Sequence, residues 1–425
     1  MATQVNAPRG MRDFLPADKA KRERVLSVIR STYTAHGFDE IETPVMEDSD
    51  RLHGGLGGDN EKLAFGVLKR GLTTQDLHDA TEPLDLADLG LRFDLTVPLA
   101  RFYASHHAEL PAVFRSIQLA PVWRAERPQK GRYRQFVQCD IDIIGEAGML
   151  AEIELIAATT ATLRALGIEN AKIRINDRRL LTSMLSVLGF APGEHANALI
   201  TIDKLDKIGV AGVVDELRDR FFPAETVAAL EAFLTRPVTL EYNSFGERAI
   251  RKALPAGVDE SAVRELSELG AALSAAERAQ LEFDPFLVRG MGYYTGTIME
   301  IAHPELPYSL AGGGRYDGMI GRFLGAEVPA VGMSIGFERI IDLVEVGRES
   351  TTDATALLYE DGTTPAQLAA LKQLLVEAGA RVRLERRPKK LTNVLDQLAA
   401  SGFTRFALVG PDTTAETLAF KEITP

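Results

Sequence analysis

The sequence contains a single cysteine, Cys139, among 425 residues. One thiol excludes an intrachain disulfide and any metal site built from several cysteines, which fits a reducing compartment. No run of about 18 apolar residues is present, and the first residues, MATQVNAPRGMRDFLP, lack the apolar core of a signal peptide. We therefore expect a soluble cytoplasmic protein without a membrane segment.

Several motifs of well-known enzyme classes are also missing. The sequence has no phosphate loop ending in G-K-[ST], no G-x-G-x-x-G dinucleotide motif and no H-E-x-x-H pair, and its seven histidines are scattered. These absences argue against P-loop, dinucleotide-binding and metal-dependent enzymes. The remaining chemistry consists of arginines, glycines and carboxylates without an obvious nucleophile. Such a set suits phosphoryl or nucleotidyl transfer, where positioning and charge neutralisation carry most of the catalysis.

The chain is acidic, with a formal net charge of −12. Any anionic partner must therefore be bound by local basic patches against an unfavourable overall field. Two segments are basic: FRSIQLAPVWRAERPQKGRYRQFVQ, residues 114–138, and RVRLERRPKK, residues 381–390. For each segment alone, a solvated surface is as good an interpretation as a binding site.

A polar strand follows the first basic segment. If residues 137–143 form a strand, the side chains of Gln138, Asp140 and Asp142 share one face, and Cys139 and Ile141 share the other. A polar face turned to water is the simplest explanation in an antiparallel sheet. The cations beside it favour a functional site, and Cys139 is expected to be a small core residue.

The pattern along the chain predicts two domains. Residues 1–345 form the first, with an amphipathic helix after Pro16, a strand that Pro44 interrupts near a sheet edge, and a mostly helical insertion at about 178–280. Residues 346–353 are polar and lack periodicity, as expected for a linker. Residues 354–425 alternate strand and helix, which predicts a small α/β domain with a partly parallel sheet.

Two glycine-rich segments precede the predicted linker. SLAGGGRYDGMIGRF, residues 309–323, has three successive glycines, which are more typical of a hairpin or bulge than of a ligand cradle when taken alone. VPAVGMSIGFERIIDLVE, residues 328–345, places Arg339 in the first turn of a helix, where a phosphate would be favoured. An ion pair of Arg339 with Glu338 or another surface acid is an equally good interpretation.

Five segments, in this order, resemble the motifs of the histidyl-tRNA synthetase family of class II aminoacyl-tRNA synthetases: HGFDEIETPVME, VWRAERPQKGRYRQFVQCDIDIIG, RGMGYYTGTIMEI, AGGGRYDGM and VGMSIGFERI. The similarity extends from PRGMRDFLP to LAFKEI, almost the full chain. It implies an α+β fold with an antiparallel active-site sheet flanked by helices, a helical insertion and a small C-terminal anticodon-binding α/β domain. The first motif builds a homodimer interface in that family.

The resemblance implies a histidine–tRNA ligase, which uses ATP to convert histidine to histidyl-adenylate and then transfers it to the 3′ end of histidine tRNA. Magnesium would bridge phosphate oxygens of the ATP. Two alternatives stay open. One is a non-catalytic, histidine-binding regulatory subunit of ATP phosphoribosyltransferase, which has no need for a complete set of triphosphate-binding arginines. The other is an RNA-binding paralogue without aminoacylation.

The resemblance also assigns roles to individual residues, without a protein ligand for a metal. The catalytic residues are Arg289 and Arg124. Histidine is bound by Asp94, Thr96, Gln138, Asp142, Tyr293, Tyr294 and Tyr316. ATP is bound by Arg124, Glu126, Arg132 and Arg339. The tRNA is bound by Arg127, Gln129, Lys130, Arg386, Arg387, Lys389 and Lys390. This chain differs from the family pattern at Gly292, where an aspartate is usual, and at Asp142, where glutamate is common.

Overall fold

The computed structural model describes residues 5–54, 62–129, 131–236, 245–289, 293–345 and 353–423. Lys130, Gly292 and most of the predicted linker lie outside these ranges. The chain divides into two compact units. The large unit comprises Met1–Arg12 and Val25–Glu345, and the small unit comprises Asp13–Arg24 and Val346–Pro425. The sequence pattern did not indicate that residues 13–24 group with the small unit.

The first part of the chain contains strands and helices in a mixed order. A short 3-10 helix, Pro83–Leu86, precedes the fourth strand. The elements are α1 Pro16–Ala35, β1 Asp39–Glu40, β2 Met46–Asp48, α2 Ser49–Leu52, β3 Phe65–Leu68, α3 Thr74–Asp79, β4 Ala87–Leu91, α4 Thr96–His106, β5 Phe114–Trp123, β6 Gln135–Ile144, α5 Leu150–Ala165 and β7 Lys172–Asp177.

The described part of the predicted insertion is helical, as expected. Its helices are α6 Arg178–Val187, α7 His195–Ile202, α8 Leu205–Asp219, α9 Ala224–Leu234, α10 Glu247–Ala253, α11 Glu260–Ala272 and α12 Ala275–Arg278, with a 3-10 turn at Pro192–Glu194. The large unit then continues with β8 Leu281–Phe283, β9 Thr297–Ala302, β10 Ala311–Arg315, α13 Asp317–Leu324, β11 Ala330–Gly336 and α14 Phe337–Ile340.

An eight-stranded sheet forms the centre of the large unit, with the strand order β1-β5-β6-β11-β10-β9-β7-β8. Neighbouring strands of this sheet are antiparallel, except for the pairs at its two ends, β1/β5 and β7/β8, which are parallel. Strand β6 turns Cys139 and Ile141 into the core, where both side chains are fully buried, and α5 packs on β6 and β11. The prediction of an antiparallel sheet flanked by helices is confirmed.

Two smaller sheets complete the described structure. Strands β2, β4 and β3 form a three-stranded antiparallel sheet in the large unit. Pro44, which has no N–H to continue a ladder, lies between β1 and β2, and β1 is an end strand of the large sheet, as predicted for a segment near a sheet edge. Among the described residues, no helix is long and apolar enough to cross a membrane.

The small unit contains a four-stranded sheet with the order β13-β12-β14-β15. Strand β12 is parallel to both neighbours and β15 is antiparallel, which matches the predicted partly parallel sheet. Apolar residues of β12 pack on both faces, Ala356 and Leu358 on one and Leu357 on the other. The C-terminal elements are β12 Ala354–Tyr359, α15 Pro365–Glu377, β13 Arg381–Arg386, α16 Thr392–Ala400, β14 Arg405–Val409 and β15 Phe420–Glu422.

Candidate active site

One cavity in the large unit brings together every residue that the sequence assigned to histidine, ATP or catalysis. These residues come from the segment before α4, from the β5–β6 hairpin, from β6, from the segment before β9, and from the region of β10 to α14. They are Asp94, Thr96, Arg124, Glu126, Arg132, Gln138, Asp142, Arg289, Tyr293, Tyr294, Tyr316 and Arg339.

Alternation along β6 directs three polar side chains into this cavity. Gln138 and Asp142 line it as predicted, and Asp140 lines it too, between them. Gln138 Nε2 donates to Ser334 Oγ at 2.9 Å, while Gln138 Oε1 has no hydrogen-bond partner within the part of the chain that is described. A buried amide oxygen without a donor is costly, so it favours a ligand that carries an N–H.

Asp142 and Tyr316 form the acidic end of the cavity. The Tyr316 hydroxyl donates to Asp142 Oδ1 at 2.5 Å, and both residues are almost fully buried. Burial raises the pKa of Asp142 to about 7, the hydrogen bond from Tyr316 opposes this shift, and the charge of Asp94 adds to it. Burial also raises the pKa of Asp140 well above its ordinary range, and repulsion by Asp142 contributes. The two buried carboxylates, Asp140 and Asp142, therefore favour a ligand that is cationic or carries an N–H.

Asp94 reaches the cavity because it precedes helix α4. Its Oδ1 accepts from the backbone N–H of Val97 at 3.1 Å, which fixes the carboxylate at the start of the helix. Tyr293 and Tyr294 complete this end, with ring centroids 4.7 Å apart, and the ring of Tyr293 meets that of Tyr316 edge-on at 6.1 Å. Burial raises the pKa of all three tyrosines, so their hydroxyls remain protonated donors.

Four arginines line the same cavity. Arg124 lies just after β5 and donates from Nε to the carbonyl of Phe93 at 2.9 Å. Burial lowers the pKa of Arg339, and the charges of Arg132, Arg289 and Arg124 lower it further. Cations that repel one another across a cavity are stabilised when a polyanion binds between them. This group of arginines therefore suits a polyphosphate.

The alternative pairing of Arg339 with Glu338 is wrong. Arg339 Nη1 donates to the carbonyl oxygen of Ser309 at 2.6 Å, and Glu338 forms an ion pair with Arg12. The guanidinium of Arg12 also stacks on the ring of Tyr133, 3.6 Å from its centroid. Glu338 and Tyr133 line the cavity, and sequence reasoning missed them because their partner, Arg12, is far away along the chain.

The glycines of β10 and β11 serve close packing rather than a turn. A Cβ at Gly312 would lie 2.6 Å from the guanidinium of Arg289, and a Cβ at Gly332 would lie 1.8 Å from Asp142 Oδ1. Glycine at these positions therefore lets two functional side chains lie flat on the sheet. The glycine run was expected to form a hairpin or a bulge. In the structure it lies within strand β10 instead and leaves space for a neighbouring side chain.

The residues predicted to bind tRNA do not line this cavity where the structure describes them, and Lys130 lies outside the described residues. Arg127 and Gln129 are exposed in the β5–β6 hairpin, where Gln129 bridges to Arg132. Arg386 pairs with Asp361 at 2.6 Å, and Arg387 pairs with Glu360. Lys389 and Lys390 are exposed after β13. These positions are compatible with a phosphate backbone, and their assignment stays a prediction.

Within the described ranges, no group of three or more His, Cys, Asp or Glu side chains is arranged to hold a metal ion.

The antiparallel sheet, with carboxylates and arginines lining one cavity, agrees with the class II aminoacyl-tRNA synthetase fold that the sequence motifs predicted. Residues 10–340 match the sequence profile described as histidyl-tRNA synthetase. The chain belongs to the histidyl-tRNA synthetase family.

Individual relatives agree with this assignment. The chain is 59% identical over 431 residues to a histidine–tRNA ligase of Leifsonia xyli subsp. xyli, covering 100% of both chains. It is 44% identical over 418 residues to a probable histidine–tRNA ligase of Tropheryma whipplei, covering 95% of each. Among solved structures, the histidyl-tRNA synthetase of Nostoc sp. PCC 7120 matches with a TM-score of 0.74 and 26% identity, over 99% of this chain and 95% of that one.

Proposed function

We propose that this protein is a histidine–tRNA ligase that activates histidine with ATP and transfers the histidyl group to the 3′ end of a histidine tRNA. The observation that carries the proposal is a single cavity lined by two groups of residues, buried carboxylates with tyrosines and four arginines. Arg289 joins the two groups, because it contacts Tyr294. An amino acid with a basic ring and a polyphosphate would meet where the two groups join.

Histidine would lie at the acidic end. Asp142 would accept a hydrogen bond from an imidazole N–H, and its contact with the Tyr316 hydroxyl would hold the carboxylate for this purpose. The Gln138 side-chain oxygen, with Asp94 and Thr96, would bind the α-ammonium group, which pairs with buried acceptors that otherwise cost free energy. Tyr293 and Tyr294 would enclose the ring.

ATP would lie along the four arginines. Arg124 and Arg289 would contact the α-phosphate, and Arg132 and Arg339 the β- and γ-phosphates, with Glu126 near the adenine. The carboxylate of histidine attacks the α-phosphorus, the bond to the bridging oxygen breaks, and pyrophosphate leaves. Arg289 and Arg124 would stabilise the charge that gathers on the equatorial oxygens, so no protein nucleophile is needed.

Transfer to tRNA would follow in the same cavity. The terminal ribose hydroxyl attacks the carbonyl of histidyl-adenylate, and AMP leaves. The exposed Arg127 and Gln129 would approach the acceptor end, and residues 386–390 would approach the anticodon side through phosphate contacts. We also propose a homodimer that uses the first motif, and residues 354–425 as the anticodon-binding domain.

The regulatory-subunit alternative is less well supported. A histidine sensor needs the carboxylates and tyrosines but no triphosphate site, and the charges of Arg132, Arg289 and Arg124, which lower the pKa of Arg339, are a cost without a polyanion. A structure described as an ATP phosphoribosyltransferase regulatory subunit/histidyl-tRNA synthetase from Bacillus halodurans is 20% identical to this chain and supports the shared fold only.

The test is histidine-dependent exchange of labelled pyrophosphate into ATP, repeated with other amino acids and with the Arg289→Ala variant. We expect exchange with histidine alone, because the acidic end selects a ring with an N–H donor. Removing Arg289 should slow exchange by about 100- to 1000-fold, the usual cost of a lost transition-state donor. Histidine affinity, measured by calorimetry, should change little, because the role proposed for Arg289 is to stabilise charge on the α-phosphate and not to recognise the imidazole.

Arg164→Ala, at an exposed position in the last turn of α5, is the matched control and should keep the wild-type rate. Histidine binding without any exchange by the wild-type protein would favour the regulatory subunit. A normal exchange rate for Arg289→Ala would refute the role given to this arginine.

A further inference from the structure

Glu300 occupies a central position next to the cavity, on strand β9. In the sheet it lies directly between Arg174 on β7 and Gly312 on β10. Paired residues on neighbouring strands point to the same face, so the side chains of Arg174 and Glu300 meet beside the glycine that leaves space for the Arg289 guanidinium. The sequence gives no indication of this juxtaposition.

The Glu300 carboxylate is shared between two arginines. Its Oε2 accepts from Arg289 Nη1 at 3.1 Å, and its Oε1 accepts from Arg174 Nη1 at 3.3 Å. The carboxylate is mostly buried, with 19% of the side chain exposed, so both interactions are shielded from water. Glu300 therefore holds Arg289 from the side of the sheet, and Arg174 holds Glu300.

Arg174 anchors the segment that carries Arg289. Its Nε donates to Asp284 Oδ2 at 2.6 Å, and Asp284 Oδ1 accepts from the backbone N–H of Phe286 at 2.9 Å. Asp284 begins the segment that leads from β8 to Arg289, and its own N–H donates to the carbonyl of Ile175 at 3.0 Å. One side chain on β7 thus holds both the start of this segment and the carboxylate that contacts Arg289.

We propose that Glu300 is a positioning residue for Arg289, and that Arg174 keeps the Glu300 carboxylate in place. An arginine side chain has several rotatable bonds, and a guanidinium stabilises a developing charge only if its N–H groups already point at it. The flat space over Gly312 sets the plane of the Arg289 guanidinium, and Glu300 sets its rotation within that plane. This inference rests on the proposed function.

The experiment compares Glu300→Gln with Glu282→Gln. Glu282 on β8 flanks Arg174 on its other side, in the same register, and has no ion pair in the part of the chain that is described. Pyrophosphate exchange is measured at saturating and at limiting histidine. Glu300→Gln should lower kcat by about 100-fold, as expected for a group misplaced by about an ångström, with little change in the histidine KM. Glu282→Gln should keep the wild-type kcat.

A double-mutant cycle separates positioning from general stability. Lysine at position 289 lacks the planar fork that Glu300 orients. Adding Glu300→Gln to Arg289→Lys should therefore cost much less than it does in the wild type, whereas a structural role would give additive losses. If the amide variant does not fold, Glu300→Asp, which keeps the charge, supplies the same cycle.

Additive effects, or a kcat of Glu300→Gln close to that of Glu282→Gln, would overturn the inference. These results are distinct from a failure of the proposed function, which would appear as absent exchange in the wild-type protein.

Discussion

Gly332→Ala tests whether Asp142 selects the imidazole. A Cβ at this position would lie 1.8 Å from Asp142 Oδ1 and 2.8 Å from its Cγ. Non-bonded heavy atoms approach to about 3.5 Å, so the carboxylate oxygen has to move by roughly 1.7 Å. The severe clash is with the Asp142 carboxylate, which can rotate away, whereas the backbone oxygen of Ile141, at 3.2 Å, has to give by only a few tenths of an ångström.

The magnitude follows from the contact that is lost. A carboxylate displaced this far no longer accepts from the Tyr316 hydroxyl, now at 2.5 Å, and no longer meets the imidazole N–H. A hydrogen bond to a charged group contributes about 1.5–3 kcal/mol, which corresponds to a histidine KM roughly 10- to 150-fold higher. The ATP KM should change much less, because the groups that act on the Asp142 carboxylate are Tyr316 and Asp94 rather than the arginines.

Pyrophosphate exchange at varied histidine measures this effect, with Gly318→Ala as the control. A Cβ at Gly318, in helix α13, meets no atom within 4 Å, so this substitution should leave both KM values unchanged. An unaltered histidine KM for Gly332→Ala would refute the reasoning, because it would mean that the imidazole is recognised without the Asp142 carboxylate in its present position.

Two further substitutions test the electrostatics of the fold. The folded pKa of Asp142, about 7, lies above the ordinary value of 3.8, so the folded state holds a proton that the unfolded state releases, and stability falls as pH rises through this window. Asp142→Asn cannot titrate, so its gain in unfolding free energy over the wild type, measured with urea, should grow with pH and level off above about pH 7; a gain independent of pH would contradict the shift. Glu152→Ala should cost about 3–5 kcal/mol, because it leaves the buried Arg315 guanidinium without its bidentate partner at 2.6 and 2.8 Å. Glu154→Ala, on the same helix but partly exposed beside Arg115, should cost about 1 kcal/mol or less, and equal losses would contradict the role of burial.

Local patterns predicted much of the site. The period of two along β6 placed Gln138 and Asp142 on one face, and the twelve residues assigned to histidine, ATP or catalysis, ten of them in the five motifs, line one cavity. The alternating strands and helices after residue 353 likewise predicted a partly parallel sheet. These features follow from the sequence because they depend on neighbouring residues or on motifs that keep their order.

Other features depend on residues that are distant along the chain. The side-chain packing of Gly312 and Gly332, the ion pair of Glu338 with Arg12, and the grouping of residues 13–24 with the small unit were not indicated by any local pattern. A glycine in the sequence does not show whether it forms a hairpin or packs beneath a guanidinium, as Gly312 does. Only the tertiary structure around the glycine distinguishes these two cases.

The sequence by itself determined the family, the class of fold and the residues that line the cavity, because these depend on ordered motifs and on hydrophobic periodicity. Tertiary structure alone decided which side chain holds another: Glu300 reaches Arg289 because β9 lies between β7 and β10, and Asp142 lies over Gly332 because β6 pairs with β11. Strand pairing over long separations sets these contacts, and a one-residue change of register would abolish them.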